Sequence, residues 1–168
     1  NLLGPLTNPA GVKRFVIGVF SDELCRPIAE VMKQLGAEHV MVVHSKDGLD
    51  EITLTGKTAV AEVRDGWVRE YEIDPCDYGF AYCDAADLYA ANTAEAAACL
   101  QAVLANTPGP ARDIVCLNAG AAIYVAGCVP NLAAGIEQAK NMLSSGAAAQ
   151  KFAAYRNWTQ QQTEHVAS

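Results

Sequence analysis

Two short apolar runs constrain the fold of this chain more than anything else in it. Residues 14–20 read Arg-Phe-Val-Ile-Gly-Val-Phe and residues 39–44 read His-Val-Met-Val-Val-His. Both are dense in β-branched residues without alternation, the pattern of a strand buried on both faces. Between them the chain reads as one helix. Ser21 stands at the N-cap position, and Asp22 and Glu23 suit the positive end of a helix. Leu24, Ile28, Val31, Met32 and Leu35 recur at helical spacing, and Gly36 supplies the stop. A strand, a helix and a strand with such short connections form a right-handed βαβ unit, which makes the two strands parallel.

The pattern then changes. Residues 52–73 are rich in Thr, Val, Trp and Tyr, and Asp65-Gly66 interrupts them. That pair predicts a hairpin, because a type I′ turn needs positive φ at both central residues. Helical spacing covers residues 93–104, with Thr93 as cap, and then residues 113–126, 131–143 and 147–158. The polar tail from residue 159 is expected to fray. With no repeat and no linker of domain size, residues 1–168 form one α/β domain. It should be built on a mainly parallel central sheet with flanking helices and a β-hairpin.

Composition narrows the function classes. Apolar residues make up 51% and charged residues 18%, which excludes a disordered chain. The net charge is −7 and the basic residues are scattered, so no nucleic-acid surface is expected. Nothing approaches the roughly 20 apolar residues needed to cross a membrane, and no secretory leader pattern is present. A soluble, cytoplasmic protein is expected. The six cysteines include no Cys-x-x-Cys pair, and His39, His44 and His165 are not grouped with them. They read as reduced thiols, several of them acting as small hydrophobes.

Chemistry is best placed in Gly48-Leu49-Asp50-Glu51, just past the second strand. Open α/β sheets bind ligands at that carboxyl edge. Adjacent carboxylates on a Gly-led loop offer hard oxygen ligands of the kind Mg²⁺ takes, one or two at a time, alongside phosphate and water. Spacing alone favours the plainer reading, in which Asp50 and Glu51 solvate a turn. His44, just before the loop, reads as a structural strand-end histidine or else as an acid or base, and Lys46 as a solvated loop lysine or a phosphate contact. Ser21 and Ser45 lack the Gly-x-Ser-x-Gly setting of a hydrolase nucleophile.

The opening segment, Asn-Leu-Leu-Gly-Pro-Leu-Thr-Asn-Pro-Ala from Asn1 to Ala10, is too rich in turn formers to be a helix. It resembles the signature found mid-chain in anthranilate phosphoribosyltransferases. The likeness continues through Phe20-Ser21, Val42-Val43-His44, Leu117-Asn118-Ala119, Tyr124-Val125-Ala126-Gly127 and Ser144-Ser145-Gly146-Ala147. It departs at Ala90-Ala91-Asn92 and Glu95-Ala96-Ala97, where that family reads Gly-Gly-Asp and then Glu-Asn-Ala.

The resemblance implies the fold of the nucleoside phosphorylase and phosphoribosyltransferase C-terminal domain. It also implies transfer of phosphoribosyl from phosphoribosyl pyrophosphate to anthranilate, in tryptophan biosynthesis, by an enzyme that is a homodimer when complete. Asp50 and Glu51 match the family's Mg²⁺-binding pair. The family's GTGGD, Asn-x-Ser-Thr and Lys-His-Gly-Asn-Arg segments have no counterpart here. The chain is therefore expected to be the later part of such an enzyme, inactive by itself and completed by an N-terminal part. Alternatives are a non-catalytic binding protein of the same fold and a pyrimidine nucleoside phosphorylase-like enzyme.

Overall fold

The computed structural model describes residues 11–166, with side chains to residue 162. The Asn1-to-Ala10 signature and His165 lie outside the described backbone and side chains respectively. Strand β1 (Arg14–Gly18) and strand β2 (His39–Ser45) pair in parallel, Arg14 opposite His39 and Gly18 opposite Val43. Between them run a 3₁₀ turn at Asp22–Leu24 and helix α1 (Cys25–Gln34), so the βαβ reading holds. Ser21 has the extended backbone of an N-cap, but its hydroxyl makes no capping bond. Gly36 ends the helix at φ +81°, a conformation that costs glycine little.

Strands β3 (Thr58–Arg64) and β4 (Trp67–Ile73) form the expected hairpin. Asp65 and Gly66 take φ of 52° and 80°, as a type I′ turn demands. The hairpin docks on β2 antiparallel, and the sheet order is β1-β2-β3-β4. The α/β class stands, but the sheet is mixed rather than mainly parallel. Its one parallel pair is followed by two antiparallel pairs, because the connection after β2, residues 46–57, holds no crossover helix and folds straight back.

Each face of β2 feeds its own core. Val40 and Val42 pack with Ile28, Ala29 and Met32 of α1. Met41 and Val43 pack with Ile52, Val60, Leu117 and Ile136. The second layer is helical: α2 (Thr93–Leu104), α3 (Pro110–Val125), α4 (Leu132–Ser144) and α5 (Ala147–Val166). Each fully buried aliphatic side chain contributes about 1.5–3 kcal/mol, before chain entropy is charged against it. Helices α3 and α4 touch backbone to backbone, since a Cβ on Gly135 would fall 2.2 Å from the carbonyl oxygen of Gly120.

Helix ends differ from expectation in three places. Asn92, not Thr93, caps α2, its side-chain oxygen accepting from the Glu95 N–H at 3.0 Å. Helix α3 starts at Pro110 rather than Asp113, using a proline where no N–H is needed. Helix α5 continues to Val166 instead of fraying after Trp158. All six cysteines are free, with Cys25 and Cys116 buried and Cys76, Cys99 and Cys128 exposed.

Candidate functional site

The loop after β2 is held by its own side chains. Asp47 accepts from the Leu49 N–H at 3.0 Å and from the Thr53 hydroxyl at 2.6 Å, and the Thr55 hydroxyl donates to it as well. Burial pushes the Asp47 carboxyl up, but the bonds from Thr53, Thr55 and the backbone outweigh it and hold the group below the usual carboxylate range. Ser45 donates to the Glu51 carbonyl, and Thr58 accepts from the Thr53 N–H at 3.1 Å.

A second fastening comes from far along the chain. On α3, the Asn118 side chain accepts from the Ile52 N–H at 3.0 Å and donates to the Ile52 carbonyl at 2.7 Å. It thereby completes both backbone groups of the residue next to Glu51, as a neighbouring strand would. On the other side, Gly18 at the end of β1 lies directly beneath Asp50. A Cβ there would sit 1.6 Å from the Asp50 carbonyl oxygen.

The loop so fixed carries Asp50 and Glu51 over the carboxyl ends of the parallel pair, both residues exposed. Glu51 also lines a cleft of about 520 Å³ with Leu49, Leu100, Val103, Ile114 and Val115. Among the described residues no group of three or more His, Cys, Asp or Glu could hold a metal ion. Asp50 and Glu51 are two exposed carboxylates on one loop, hard oxygen donors of the chemical kind that Mg²⁺ takes alongside waters and phosphate oxygens.

The remaining candidates each have a partner within the fold. His44 Nδ1 lies 2.8 Å from the Val19 carbonyl and ties β2 to the end of β1. Lys46 pairs with Glu72 of β4 at 2.6 Å. Ser45 is buried in the loop's bonding network. The departing Ala91-Asn92 stretch is the start of α2, where Glu95 also accepts from the Ala91 N–H at 2.8 Å. Sequence reasoning did not single out Gly18, Asp47 or Asn118 for their hold on the loop. Asp47 followed by Gly48 carried a signal, since Asp readily bonds the backbone two residues on.

The fold belongs to a known class of domain: a model of the glycosyl transferase family, a/b domain, matches residues 1–149. The chain belongs to that family. More particularly, it is 60% identical over 152 residues to the anthranilate phosphoribosyltransferase of Laribacter hongkongensis, covering 90% of this chain and 44% of that protein. It is 51% identical over 161 residues to that of Nitrosomonas europaea, covering 96% and 47%.

The crystal structure of anthranilate phosphoribosyltransferase from Thermus thermophilus superposes with TM-score 0.79 at 41% identity, over 89% of this chain and 44% of that one. A Saccharomyces cerevisiae anthranilate phosphoribosyltransferase in complex with PRPP and Mg gives TM-score 0.76 at 25% identity, over 88% and 43%. The resemblance read from the sequence therefore holds. The chain spans less than half the length of these relatives.

Proposed function

We propose that this chain is the metal-binding portion of an anthranilate phosphoribosyltransferase acting in tryptophan biosynthesis. The observation that carries the reading is the Asp50-Glu51 loop. It is pinned by Asn118, Asp47 and Gly18 at the carboxyl edge of a parallel strand pair, within a chain 60% identical to such an enzyme.

In the proposed reaction the anthranilate nitrogen forms a bond to C1 of the ribose. The bond from C1 to the pyrophosphate oxygen breaks, and the proton released from the nitrogen passes to solvent water. Bound Mg²⁺ supplies neutralisation of the charge that gathers on departing pyrophosphate. The part of Asp50 and Glu51 is to hold that ion by two carboxylates while the stiffened loop keeps them in place. Neither transfers a proton. The apolar cleft beside Glu51 agrees with a reaction run by positioning and charge.

The donor-binding segments of the family are not in this sequence, so the chain alone is proposed to be inactive. Positioning can account for roughly 7–11 kcal/mol of a barrier. A cytoplasmic homodimer is proposed for the complete enzyme. Among the described residues no helix is long and apolar enough to cross a membrane.

The test is a chimera in which this chain replaces the matching segment of the Laribacter hongkongensis enzyme. Phosphoribosyl transfer to anthranilate should be retained. Asp50→Asn and Glu51→Gln should each raise the Mg²⁺ and phosphoribosyl pyrophosphate requirement while leaving the melting temperature nearly unchanged. Unaltered magnesium dependence in both variants would reduce the pair to a solvated turn. A chimera that folds but cleaves a nucleoside with phosphate instead would favour the phosphorylase reading.

A further inference from the structure

The opposite end of the sheet carries a second polar constellation, roughly 20 Å away along β2. Pairing places Arg14, His39, Arg64 and Trp67 in one row across β1, β2, β3 and β4. Residues opposite one another share a face, so these four project on the side covered by α3. Two residues further along the hairpin, on the same face, Glu62 lies opposite Arg69.

Behind this row is a buried, fully bonded network. Glu62 is 8% exposed and meets three partners. His39 Nε2 lies at 2.7 Å, the Tyr124 hydroxyl donates at 2.7 Å, and the Tyr71 hydroxyl donates at 3.0 Å. Burial pushes the Glu62 carboxyl up, and those bonds outweigh it and keep the group below the ordinary glutamate range. The Tyr124 hydroxyl, its proton committed to Glu62, accepts from Arg64 Nη1 at 2.7 Å. The Arg64 guanidinium also lies 5.3 Å from the Tyr124 ring centre. A buried carboxylate thus fixes a tyrosine, and the tyrosine fixes the arginine.

In front of Arg64 is a recess of about 170 Å³ lined by Glu62, Arg64, Asp65, Trp67, Arg69 and Tyr124. It adjoins a wider one of about 440 Å³ through Arg64, Asp65 and Tyr124. Arg69 has no hydrogen-bond or ion-pair partner among the described residues, and Arg64 Nη2 is equally unused. Trp67 is 71% exposed beside them. A chain of net charge −7 here sets two guanidiniums and an indole around one recess. The exposed Asp65 carboxylate at its rim pairs with Arg64 Nε at 3.7 Å, and the buried Glu62 carboxylate is engaged by three partners.

We propose that this recess binds a planar organic anion: a carboxylate or phosphate joined to a flat ring. The anionic group takes the unused Nη2 of Arg64 together with the free Arg69 guanidinium, and the ring lies against Trp67. Arginine suits both oxyanions through paired N–H bonds, and indole offers the strongest π-face among side chains. The site goes beyond the transfer reaction and shares no residue with the Asp50–Glu51 loop.

The test uses the 168-residue chain with Trp158→Phe, which leaves Trp67 as its only indole. Phenyl phosphate, benzoate and inorganic phosphate are titrated separately, by calorimetry and by Trp67 fluorescence. Saturable binding of phenyl phosphate or benzoate is expected, and which of the two binds tighter identifies the oxyanion. Arg64→Gln and Arg69→Gln should each weaken it about tenfold or more, the scale of one lost charge-assisted bond. Asp50→Asn should leave it unchanged, which separates this site from the proposed metal loop. No saturable binding, equal binding by the arginine variants, or inorganic phosphate binding as tightly as the ring compounds would overturn the proposal.

Discussion

Gly18 and Asp50 meet with no room for a side chain between them: a Cβ on Gly18 would lie 1.6 Å from the Asp50 carbonyl oxygen and 2.7 Å from its Cβ. The obstacle is backbone, so a rotamer change cannot relieve it. Gly18→Ala must push the loop off the strand end. A cost of about 1–3 kcal/mol is expected, the usual range for overpacking. The Mg²⁺ requirement of the chimera should rise with it. Thermal melting measures the first effect and a magnesium titration the second. A variant as stable as the parent would show that the loop is not seated on β1.

Asn118→Ala removes the two bonds to Ile52 and a third to the Ile114 carbonyl at 3.0 Å. Ile52 is fully buried, so its backbone groups are left without water to replace the amide. About 1–3 kcal/mol of destabilisation is expected. Faster amide hydrogen exchange at Ile52 is the direct readout. Unchanged exchange there would mean that Asn118 is a passenger.

Asp47 carries a pH signature. Its folded carboxyl titrates lower than the ordinary value of 3.8, so it contributes stability above that value and loses it as pH falls through the depressed one. Asp47→Ala should therefore be less stable than the parent at neutral pH, and the difference should narrow below pH 3.8. Urea unfolding across that range checks it. A gap that stays constant into acid would refute the bonding from Thr53 and Thr55.

Gly135→Ala sets two effects against each other. Alanine in a helix interior gains about 1 kcal/mol over glycine. Here the new methyl would lie 2.2 Å from the Gly120 carbonyl oxygen, which forces α3 and α4 apart. That strain of about 1–3 kcal/mol should win, giving a net loss of stability in thermal melts. A rise in melting temperature would mean the helices separate at little cost.

Thiol labelling separates the cysteines. Burial pushes the Cys25 thiol up to about 11, helped by the charges of Asp22 and Glu70, and Cys116 is buried as well. Iodoacetamide should modify Cys99 and Cys128 in the native protein and reach Cys25 and Cys116 only on unfolding. Mass spectrometry after brief labelling reads this directly.

The sequence disclosed what depends on neighbours along the chain. The β1-to-β2 crossover and the Asp65-Gly66 turn follow from local chemistry, and both are in the structure. The strand directions after β2 turn on whether residues 46–57 cross the sheet or fold back, and that segment carries neither a helical period nor a two-residue turn signal to decide it. The helix cap fell on Asn92 rather than Thr93, because two adjacent residues both suit the position and the bond to Glu95 decides. For the site, the Asp50-Glu51 pair was visible as a loop after a strand. Its fastening was not, because Asn118 reaches Ile52 across 66 positions and Gly18 acts by lacking a side chain.

Strand β2 has a consequence for how this chain tolerates insertions and deletions. Its even positions, Val40 and Val42, and its odd ones, Met41 and Val43, serve two separate cores, and its last residue, Ser45, anchors the loop. Losing or gaining one residue within it would exchange the two sets at once and turn His39 away from Glu62. Such a change could not be absorbed by local adjustment, whereas an apolar swap at a single position could. Variation in length is therefore confined to the loops that flank this strand, and the distance from the Arg64 recess to the Asp50–Glu51 loop is fixed by a ruler of seven residues.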